Sequence, residues 1–386
     1  MASDRSLKVD SHTLTLLPGG EERMSAILEL IDGAKSRLDL LFYDLADDDS
    51  GTRIRDALVA AARRGVEVRL IIDGFGLRDI KDQEGFFAPL REAGGEAFVF
   101  HPSVGRRYLL RNHQKIAIAD CCDAIIGGAN LAKDYLGDHD GAWRDLWLRL
   151  DGPSVPVLTN YFETLHDWMQ QKPSSVRDLG DIAARCSRTS GPLQWQFSAP
   201  WPRQTPWPAG LIRDLWQARQ LDMVAAYFSP NAPMLRRMER IAEDGGRVRL
   251  ITAAKSDNNA TIAAARHTYH QLLTAGVEIF EYLPTKLHTK LFIADDIVHI
   301  GSSNFDFRSL FINMEVMLRI DSGAAAEMLR HYVAGEIEDS REITPELHAS
   351  RDTFWQRTIW ALSNFLVTTM DYTVSRKLNF PLGGDD

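Results

Sequence analysis

Cysteine is scarce in this chain, and long apolar runs are missing. The 386 residues include Cys121, Cys122 and Cys186, which show neither metal-ligand spacing nor a paired pattern. A zinc module and a disulfide framework are therefore not expected, and a reducing compartment is. No stretch of about 18 uncharged apolar residues occurs, so no transmembrane helix is expected. The first twenty residues carry charges and no apolar core, so no signal peptide is expected either.

An excess of positive charge is also missing. The chain has 44 lysines and arginines against 53 aspartates and glutamates, which gives a formal net charge of −9. Because nucleic-acid backbones reward a basic surface, this balance disfavours a dedicated nucleic-acid binder, and no nucleic-acid partner is expected. The hydrophobic fraction of 45% and the length are typical of a folded chain with about two to three domains.

What the sequence does contain is one pattern of histidine, lysine, aspartate and a small-residue turn ending in asparagine, and it contains this pattern twice. The members of the two copies are His113, Lys115, Asp120, Gly127 and Asn130, and then His288, Lys290, Asp295, Gly301 and Asn304. One short pattern recurs by chance, but two copies with the same histidine-to-lysine and lysine-to-aspartate spacing are a specific signal. An imidazole, a fixed positive charge and an amide are the groups that hold and attack a phosphodiester.

The spacing within each copy predicts which side chains share a face. Residues two apart in a strand point to the same side, so the histidine and lysine are expected to line one pocket. The apolar runs KIAIA and KLFIA predict buried strands, bounded by the turns GGAN and GSSN. Asp120 and Asp295 follow their histidines by an odd interval of seven residues. We therefore expect these two motif members to make structural hydrogen bonds near the turn.

The motif belongs to a longer internal repeat. The segment SRLDLLFYDLADDDSG resembles RQLDMVAAYFSPNAP, and AARRGVEVRLIIDG resembles AEDGGRVRLITAAKSD. Leu38 and Leu221 are offset by 183 residues (221 − 38), and His113 and His288 by 175 (288 − 113). A drift of this size is what a few loop insertions produce, so the chain is interpreted as two versions of one module.

Each half predicts strand, helix, strand, helix, strand and then the motif strand. In the first half the strands are expected at 38–43, 66–73 and 97–100, and the helices at 53–64 and 85–93. In the second half the strands are expected at 223–228, 248–253 and 277–281, and the helices at 233–243 and 262–275. This alternation predicts an α/β fold, with a largely parallel or mixed sheet in each module. The expected division is a first module at 1–171, a connecting segment at 172–208, a second module at 209–345 and a C-terminal helical tail at 346–386.

The duplicated pattern resembles the phospholipase D superfamily, in which both motifs meet at one active site on a pseudo-two-fold axis. The similarity covers residues 16–320, and the stretch NFDFRSLFINMEV is similar to bacterial cardiolipin synthases. The resemblance implies two similar modules, each a mixed β-sheet flanked by helices, with the active site between them. Two departures are the shorter spacer after Asp295 and Gly128 in place of the commoner serine, which removes a hydroxyl that would contact the phosphate.

The resemblance also implies a reaction. A phosphatidyltransferase of this type forms cardiolipin from two phosphatidylglycerol molecules and releases glycerol, with no cofactor and no metal. One neutral imidazole attacks phosphorus to give a phosphohistidine, and the other, protonated, gives its proton to the departing alkoxide. By analogy His113 is the nucleophile and His288 the acid, an assignment that the pseudo-symmetry leaves open.

The remaining groups of the motif are expected to hold the phosphate. The phosphate-binding residues are expected to be Lys115, Lys290, Asn130 and Asn304. A plain turn role beside glycine is the alternative for the two asparagines.

A reacting histidine needs its other ring nitrogen held, typically by a carboxylate. Asp145 and Glu315 stand 15 and 11 residues beyond the motif asparagines (145 − 130 and 315 − 304). The resemblance implies that these two acids orient the histidines. A solvated acid at the edge of a strand is the alternative.

Two basic features have two interpretations each. Arg308 either binds a lipid phosphate or pairs with Asp306 on the surface, and the surface role is favoured. The cluster of Arg106, Arg107 and Arg111 is either a solvated loop or a patch that attracts headgroups or a membrane surface.

The tail predicts an amphipathic helix over 354–378. Its apolar stripe recurs at three- and four-residue steps, at Trp355, Ile359, Leu362, Leu366 and Met370. Charged and polar residues interrupt the stripe too often for a bilayer span. The helix either caps the second module or lies in the headgroup region of a membrane.

The phospholipid substrate, phosphatidylglycerol, implies a peripheral enzyme on the cytoplasmic side of the cell membrane. Two rival functions are weighed against this one. A hydrolase of the same superfamily, either a phospholipase D or a nuclease, would use water as the acceptor. A catalytically silent scaffold would keep the fold to bind membranes or partners, but both motif copies are intact, which argues against it.

Overall fold

Two eight-stranded mixed sheets, one in each half of the chain, form the frame of the structure. The computed structural model describes residues 5–100, 110–171, 175–200 and 205–369. The strands of the first half are β1 (Ser6–Val9), β2 (His12–Leu17), β3 (Arg37–Phe42), β4 (Glu67–Asp73), β5 (Glu96–Phe100), β6 (Ile116–Ala119), β7 (Asp123–Gly127), β8 (Trp143–Arg144) and β9 (Trp147–Asp151). The helices that accompany them are α1 (Gly20–Gly33), α2 (Asp49–Arg63), α3 (Gln83–Glu92), α4 (Lys133–Leu136), α5 (Val155–Gln170) and α6 (Val176–Cys186), with a 3-10 turn at Gly76–Asp79.

The second half repeats this order with additions. Its strands are β10 (Leu193–Ser198), β11 (Gln220–Ala225), β12 (Phe228–Ser229), β13 (Arg247–Ala253), β14 (Glu278–Tyr282), β15 (Lys286–Leu287), β16 (Lys290–Ala294), β17 (Ile297–Gly301), β18 (Phe305–Asp306), β19 (Glu315–Asp321) and β20 (Ser340–Glu342). Its helices are α7 (Pro206–Gln217), α8 (Ala232–Glu243), α9 (Asn259–Thr274), α10 (Phe307–Phe311), α11 (Gly323–Glu338), α12 (Pro345–Arg351) and α13 (Phe354–Thr369).

The two sheets have matching topologies. The order β9-β7-β6-β3-β4-β5 in the first corresponds to β19-β17-β16-β11-β13-β14 in the second. In each sheet three strands run parallel and the motif strand joins them antiparallel. The predicted fold class, two similar α/β modules with mixed sheets, is therefore confirmed. The predicted division of the chain stays a prediction, and β10, from the predicted connecting segment, pairs with β19 of the second sheet.

Each sheet contains the same buried ion pair at the same place. Asp39 of β3 faces Arg69 of the neighbouring β4, with Oδ1 accepting from Nε at 2.8 Å. Asp222 of β11 faces Arg249 of β13 in the same register, at 2.6 Å. A buried carboxylate needs such a partner, because an unpaired one carries a large desolvation penalty. The repeat therefore extends from the backbone to the interior polar contacts.

One hydrophobic core spans both modules. Strands β7 and β9 contribute Ile126 and Leu148, strands β17 and β19 contribute Val298 and Leu318, and all four side chains are buried in a single cluster. Helices α5 and α11 also bury residues in this cluster. Because packed interiors resist sliding, the shared core fixes the two modules against each other.

Short backbone contacts cross between the modules beside the motif strands. Strand β8 pairs in parallel with β15, and Asn112 forms a bridge to Met314. These contacts lie next to His288 and His113, the residues that precede β16 and β6. The two motif histidines are therefore carried to the boundary between the modules by the core and by main-chain hydrogen bonds.

Helix α13 packs on the second module. Trp360, Ser363 and Leu366 are buried, and the helix lies against α9 and β12. The predicted continuation of the stripe at Met370 lies outside the described residues. Within the parts of the chain that the structure describes, no helix is long and apolar enough to cross a bilayer.

Candidate active site

The two motif histidines line the same cavity. It has a volume of about 230 Å³ and lies between the modules, where Asn130 and Asn304 also contribute to its wall. His113 comes from the segment before β6 and His288 from the segment before β16. The internal repeat thus brings equivalent residues of the two halves to one place.

Each histidine is held by a carboxylate of the opposite module. Nδ1 of His113 lies 3.0 Å from Oε1 of Glu315, and Nδ1 of His288 lies 2.6 Å from Oδ2 of Asp145. Main-chain hydrogen bonds cross between the modules in the same way. The backbone N–H of His113 donates to the carbonyl of Met314, and the backbone N–H of His288 donates to the carbonyl of Arg144. Holding Nδ1 in this way orients the ring and leaves Nε2 for the reacting atoms.

Burial keeps both imidazoles neutral in the free protein. Burial, with the positive charges of Lys115 and Lys290, lowers the pKa of His113 well below its usual value. Burial and the nearby charge of Lys290 lower the pKa of His288 to about 3. Both rings are therefore unprotonated near neutral pH, which is the form that a nucleophile requires.

The two orienting acids differ in charge state. Burial raises the pKa of Glu315 to about 8. Burial opposes ionisation of Asp145 too, but the charge of Lys290 and the hydrogen bond with His288 outweigh it and lower the pKa of Asp145. The two halves of the site are therefore electrostatically unequal, even though their backbone is repeated.

The motif lysines lie behind the cavity wall. Nζ of Lys115 donates to the carbonyl of His113 at 2.7 Å, and Nζ of Lys290 donates to the carbonyl of His288. Both side chains are buried and neither lines the cavity, in contrast to the expectation that each histidine and lysine share a pocket wall. The histidines precede the strands instead of lying in them, so the alternation of strand side chains does not apply across the pair.

The asparagines and the turn residues have distinct contacts. Among the described residues, Oδ1 of Asn130 and Oδ1 of Asn304 have no hydrogen-bond partner although both atoms are buried. These two oxygens are acceptors, so they have unused capacity for a donor group of a ligand. Ser302 occupies the position in the second motif copy that Gly128 occupies in the first. Its hydroxyl donates to Glu315, so a serine at this position contacts the orienting acid instead of facing the cavity.

Asp120 and Asp295 lie at the far end of the motif strands from the histidines. Asp120 accepts backbone N–H groups of residues 35–37, and Asp295 accepts those of Arg219 and Gln220. Neither aspartate lines the cavity.

A family model described as "Cardiolipin synthase, PLD-like domain" matches residues 27–164 and 211–335. The chain belongs to this family. Over 364 residues it is 31% identical to a cardiolipin synthase of Alkalihalophilus pseudofirmus, which covers 91% of this chain and 71% of that one. Over 380 residues it is 30% identical to a cardiolipin synthase of Listeria monocytogenes serotype 4a, with coverages of 95% and 77%.

Solved structures support the fold of this cardiolipin synthase-family chain. A phosphatidylserine synthase from Haemophilus influenzae Rd KW20 matches with a TM-score of 0.72 and 14% identity, covering 97% of this chain and 96% of that one. A polyphosphate kinase from Porphyromonas gingivalis matches with a TM-score of 0.57 and 12% identity, covering 84% and 50%. The predicted superfamily is confirmed, and the chain is an enzyme of the phospholipase D superfamily.

Aromatic residues that the sequence did not predict surround His288, the histidine of the second motif copy. The rings of Tyr135 and Trp143 each lie 5.2 Å from the His288 ring, and Tyr227 lies at 6.3 Å. In the other half Tyr43 lies 5.1 Å from the His113 ring. The repeat held part of this signal, because Tyr43 directly follows β3 and Tyr227 comes two residues after β11, the corresponding strand of the second sheet.

Two arginines of the cavity wall were interpreted differently from the sequence. Arg308, for which pairing on the surface was favoured, lines the cavity. Arg111 is buried and also lines it, with its guanidinium 3.9 Å from the centre of the Phe75 ring. Arg106 and Arg107 lie outside the described residues. The cationic groups of the wall suit an anionic ligand.

Alanine at Gly128 is expected to lower turnover by about ten- to a hundred-fold, because displaced catalytic groups lose alignment. An added Cβ would stand 2.6 Å from Oδ1 of Asp145, whose carboxylate already holds His288 and the N–H of Leu146. Turnover and thermal unfolding of the variant should be measured together. Gly33→Ala is the matched control, since its Cβ would meet nothing within 4 Å. Full activity in Gly128→Ala would contradict this prediction.

Proposed function

We propose that the chain forms cardiolipin from two phosphatidylglycerol molecules, releasing glycerol, through a phosphohistidine intermediate. The observation that carries the proposal is the pair of neutral imidazoles, His113 and His288, each held by a carboxylate of the opposite module around one cavity. Membership in the cardiolipin synthase family supports a phospholipid substrate.

The charge difference between the orienting acids supports His113 as the nucleophile. An ionised Asp145 stabilises a positive charge on His288, as a general acid requires. The raised pKa of Glu315 gives His113 no comparable support, so this ring stays neutral. His288 is neutral in the free protein, and the negative charge of an arriving phosphodiester, beside the ionised Asp145, makes it take up a proton on Nε2 as the substrate binds.

In the first step Nε2 of His113 forms a bond to phosphorus while the bond from phosphorus to the glycerol oxygen breaks. The proton on Nε2 of His288 goes to that oxygen, and glycerol leaves. In the second step His288 takes the proton from a hydroxyl of the second phosphatidylglycerol, whose oxygen bonds to phosphorus as the bond to His113 breaks. Both histidines return to their initial states, and the product is cardiolipin.

The lysines and asparagines are proposed to balance the charge of the phosphate. Lys115 and Lys290 place two ammonium groups close behind the histidines, and low polarity strengthens their effect on the non-bridging oxygens. The side-chain N–H groups of Asn130 and Asn304, which are at the cavity wall, donate hydrogen bonds to the same oxygens in this proposal. The chemistry is then mostly positioning and charge stabilisation, as is usual for phosphoryl transfer.

The two lysines predict a loss of activity at alkaline pH. Burial lowers the pKa of Lys115 to about 7 and that of Lys290 to about 8. As pH rises through these values the ammonium groups lose their protons, so an anionic substrate binds less well. We expect kcat/KM to fall by about ten-fold or more between about pH 7 and pH 9. A flat profile over this range, as ordinary lysines would give, would contradict the assignment.

Phosphatidylglycerol vesicles test the proposed reaction. Cardiolipin and glycerol in equal amounts are the expected products, and phosphatidic acid as the main product would replace the proposal with hydrolysis. Whether transfer or hydrolysis wins depends on how well the site excludes water.

We also propose that the enzyme works peripherally at the cytoplasmic face of the cell membrane, where its substrate lies. The free thiols of Cys121, Cys122 and Cys186 are consistent with a reducing compartment.

A further inference from the structure

Helix α13 turns an apolar face to solvent. Phe354 is 75% exposed, Trp355 74%, Phe365 59% and Leu362 46%. At 3.6 residues per turn these four positions fall on one side of the helix. The opposite side is the one that holds the helix on the second module. Large apolar side chains gathered on one surface mark a site of interaction.

The second half of this helix contacts a residue beside the cavity lining. The Ser229 hydroxyl is 2.9 Å from Oδ1 of Asn364 of the helix, and Ser229 pairs in register with Asp306. Asp306 lines the cavity, and so does Tyr227, two residues before Ser229. Through Asn364 the helix therefore contacts a strand that neighbours the cavity lining.

A further exposed aromatic residue stands in a segment that lines the cavity. Phe307 is 39% exposed and stands between Asp306 and Arg308, which both line the cavity. We name the set formed with the exposed face of α13 the aromatic rim; its members are Phe307, Phe354, Trp355, Leu362 and Phe365.

The size of the cavity determines which part of a phospholipid enters. Its volume of about 230 Å³ is below the roughly 300–1,000 Å³ of pockets that enclose a drug-sized ligand. A phosphate and a small polar headgroup fit, but two acyl chains do not. The chains must stay in an apolar phase outside the cavity mouth.

We propose that the aromatic rim docks on a phospholipid bilayer and holds the cavity at the level of the headgroups. The proposal rests on the proposed function, since a lipid substrate is what requires the bilayer at the mouth. Tryptophan and phenylalanine favour the boundary between headgroups and acyl chains, and an amphipathic helix lying in that plane is a common anchor. Docking by apolar contact also suits a chain of net charge −9, because it needs no basic patch.

The test compares vesicle binding with catalysis on dispersed lipid. A double variant, Trp355→Ser with Leu362→Ser, should bind vesicles of phosphatidylcholine and phosphatidylglycerol about ten-fold more weakly or worse in a flotation assay. Its rate on vesicles should fall to match, while kcat/KM on monomeric short-chain phosphatidylglycerol stays unchanged. Trp216→Ser is the matched control, since Trp216 is 61% exposed and lies on α7, away from the cavity lining.

A second measurement needs no destabilising change. Brominated phosphatidylcholine should quench part of the tryptophan fluorescence of the wild-type protein, and Trp355→Phe should remove most of that quenching. Unchanged vesicle binding in the double variant, or quenching that survives Trp355→Phe, would overturn the proposal. So would a change of oligomeric state in place of a change in vesicle binding, which would make the face a contact between copies of the chain.

The outcome for docking is separate from the outcome for the reaction. Should the protein make no cardiolipin while its rim variants still lose vesicle binding, the proposed function fails and the docking surface stands. Should cardiolipin form at wild-type rates on vesicles with the double variant, the docking surface fails and the proposed function stands.

Discussion

Alanine at His113 or at His288 is expected to reduce phosphatidyl transfer by about 10⁴- to 10⁶-fold, the size of loss seen when a reacting group of a coupled catalytic unit is removed. The two side chains line one cavity and are buried against carboxylates that fix their rings. Among the described residues that line the cavity, no histidine other than these two is present to replace them. The measurement is the initial rate of cardiolipin formation from phosphatidylglycerol.

The two variants should differ in what they trap. With phosphatidylglycerol labelled in its phosphate, His288→Ala should still accumulate label on the denatured protein, because its nucleophile is intact. His113→Ala should not. Label on His113→Ala alone would make His288 the nucleophile, and an unchanged rate in either variant would end the two-histidine mechanism. His331→Ala, at an exposed histidine of α11, is the control and should keep the wild-type rate.

Replacing either orienting acid by its amide is expected to cost about 10²- to 10⁴-fold in kcat, since an amide no longer holds the imidazole in its working orientation. The variants are Glu315→Gln and Asp145→Asn, which preserve shape. Both acids are fully buried and hydrogen-bonded, so the loss reflects changed contacts within a closed site.

The exchange between modules gives this prediction a specific readout. In ¹⁵N spectra of the histidine rings, Glu315→Gln should move the signals of His113 and leave those of His288 in place. Asp145→Asn should do the reverse. Spectra in which each acid affects the histidine of its own module would contradict the crossed contacts, whatever the rates.

The sequence predicted the elements of the site better than their contacts. The duplicated spacing is a strong signal because two matching copies in one chain rarely arise by chance. It pointed to His113, His288 and their superfamily. The resemblance to the superfamily pointed to Asp145 and Glu315 as orienting acids, but their intervals from the motif asparagines carry no information about which module each acid faces. That contact depends on how the shared core joins the two sheets.

Two other differences have local causes. The strand predicted at 223–228 runs from Gln220 to Ala225. The charged Asp222 favoured a later start for the strand, but in the structure it is buried within the strand and paired with Arg249. The lysines were expected at the pocket wall from the alternation of strand side chains. Their strands begin only after the histidines, and each ammonium turns back to a main-chain carbonyl. Rules based on periodicity fail where a regular element begins.

The reciprocal exchange of acids bears on ancestry. A lone ancestral module with one histidine and one acid would be inert, since its own acid points away from its own histidine, and it would work only as a symmetric pair of identical chains. Gene duplication and fusion would then preserve the pairing in a single polypeptide. Once fused, the copies were free to diverge, as Glu315 with Ser302 and Asp145 with Gly128 show. Such a fusion would allow a symmetric pair to take on separate duties.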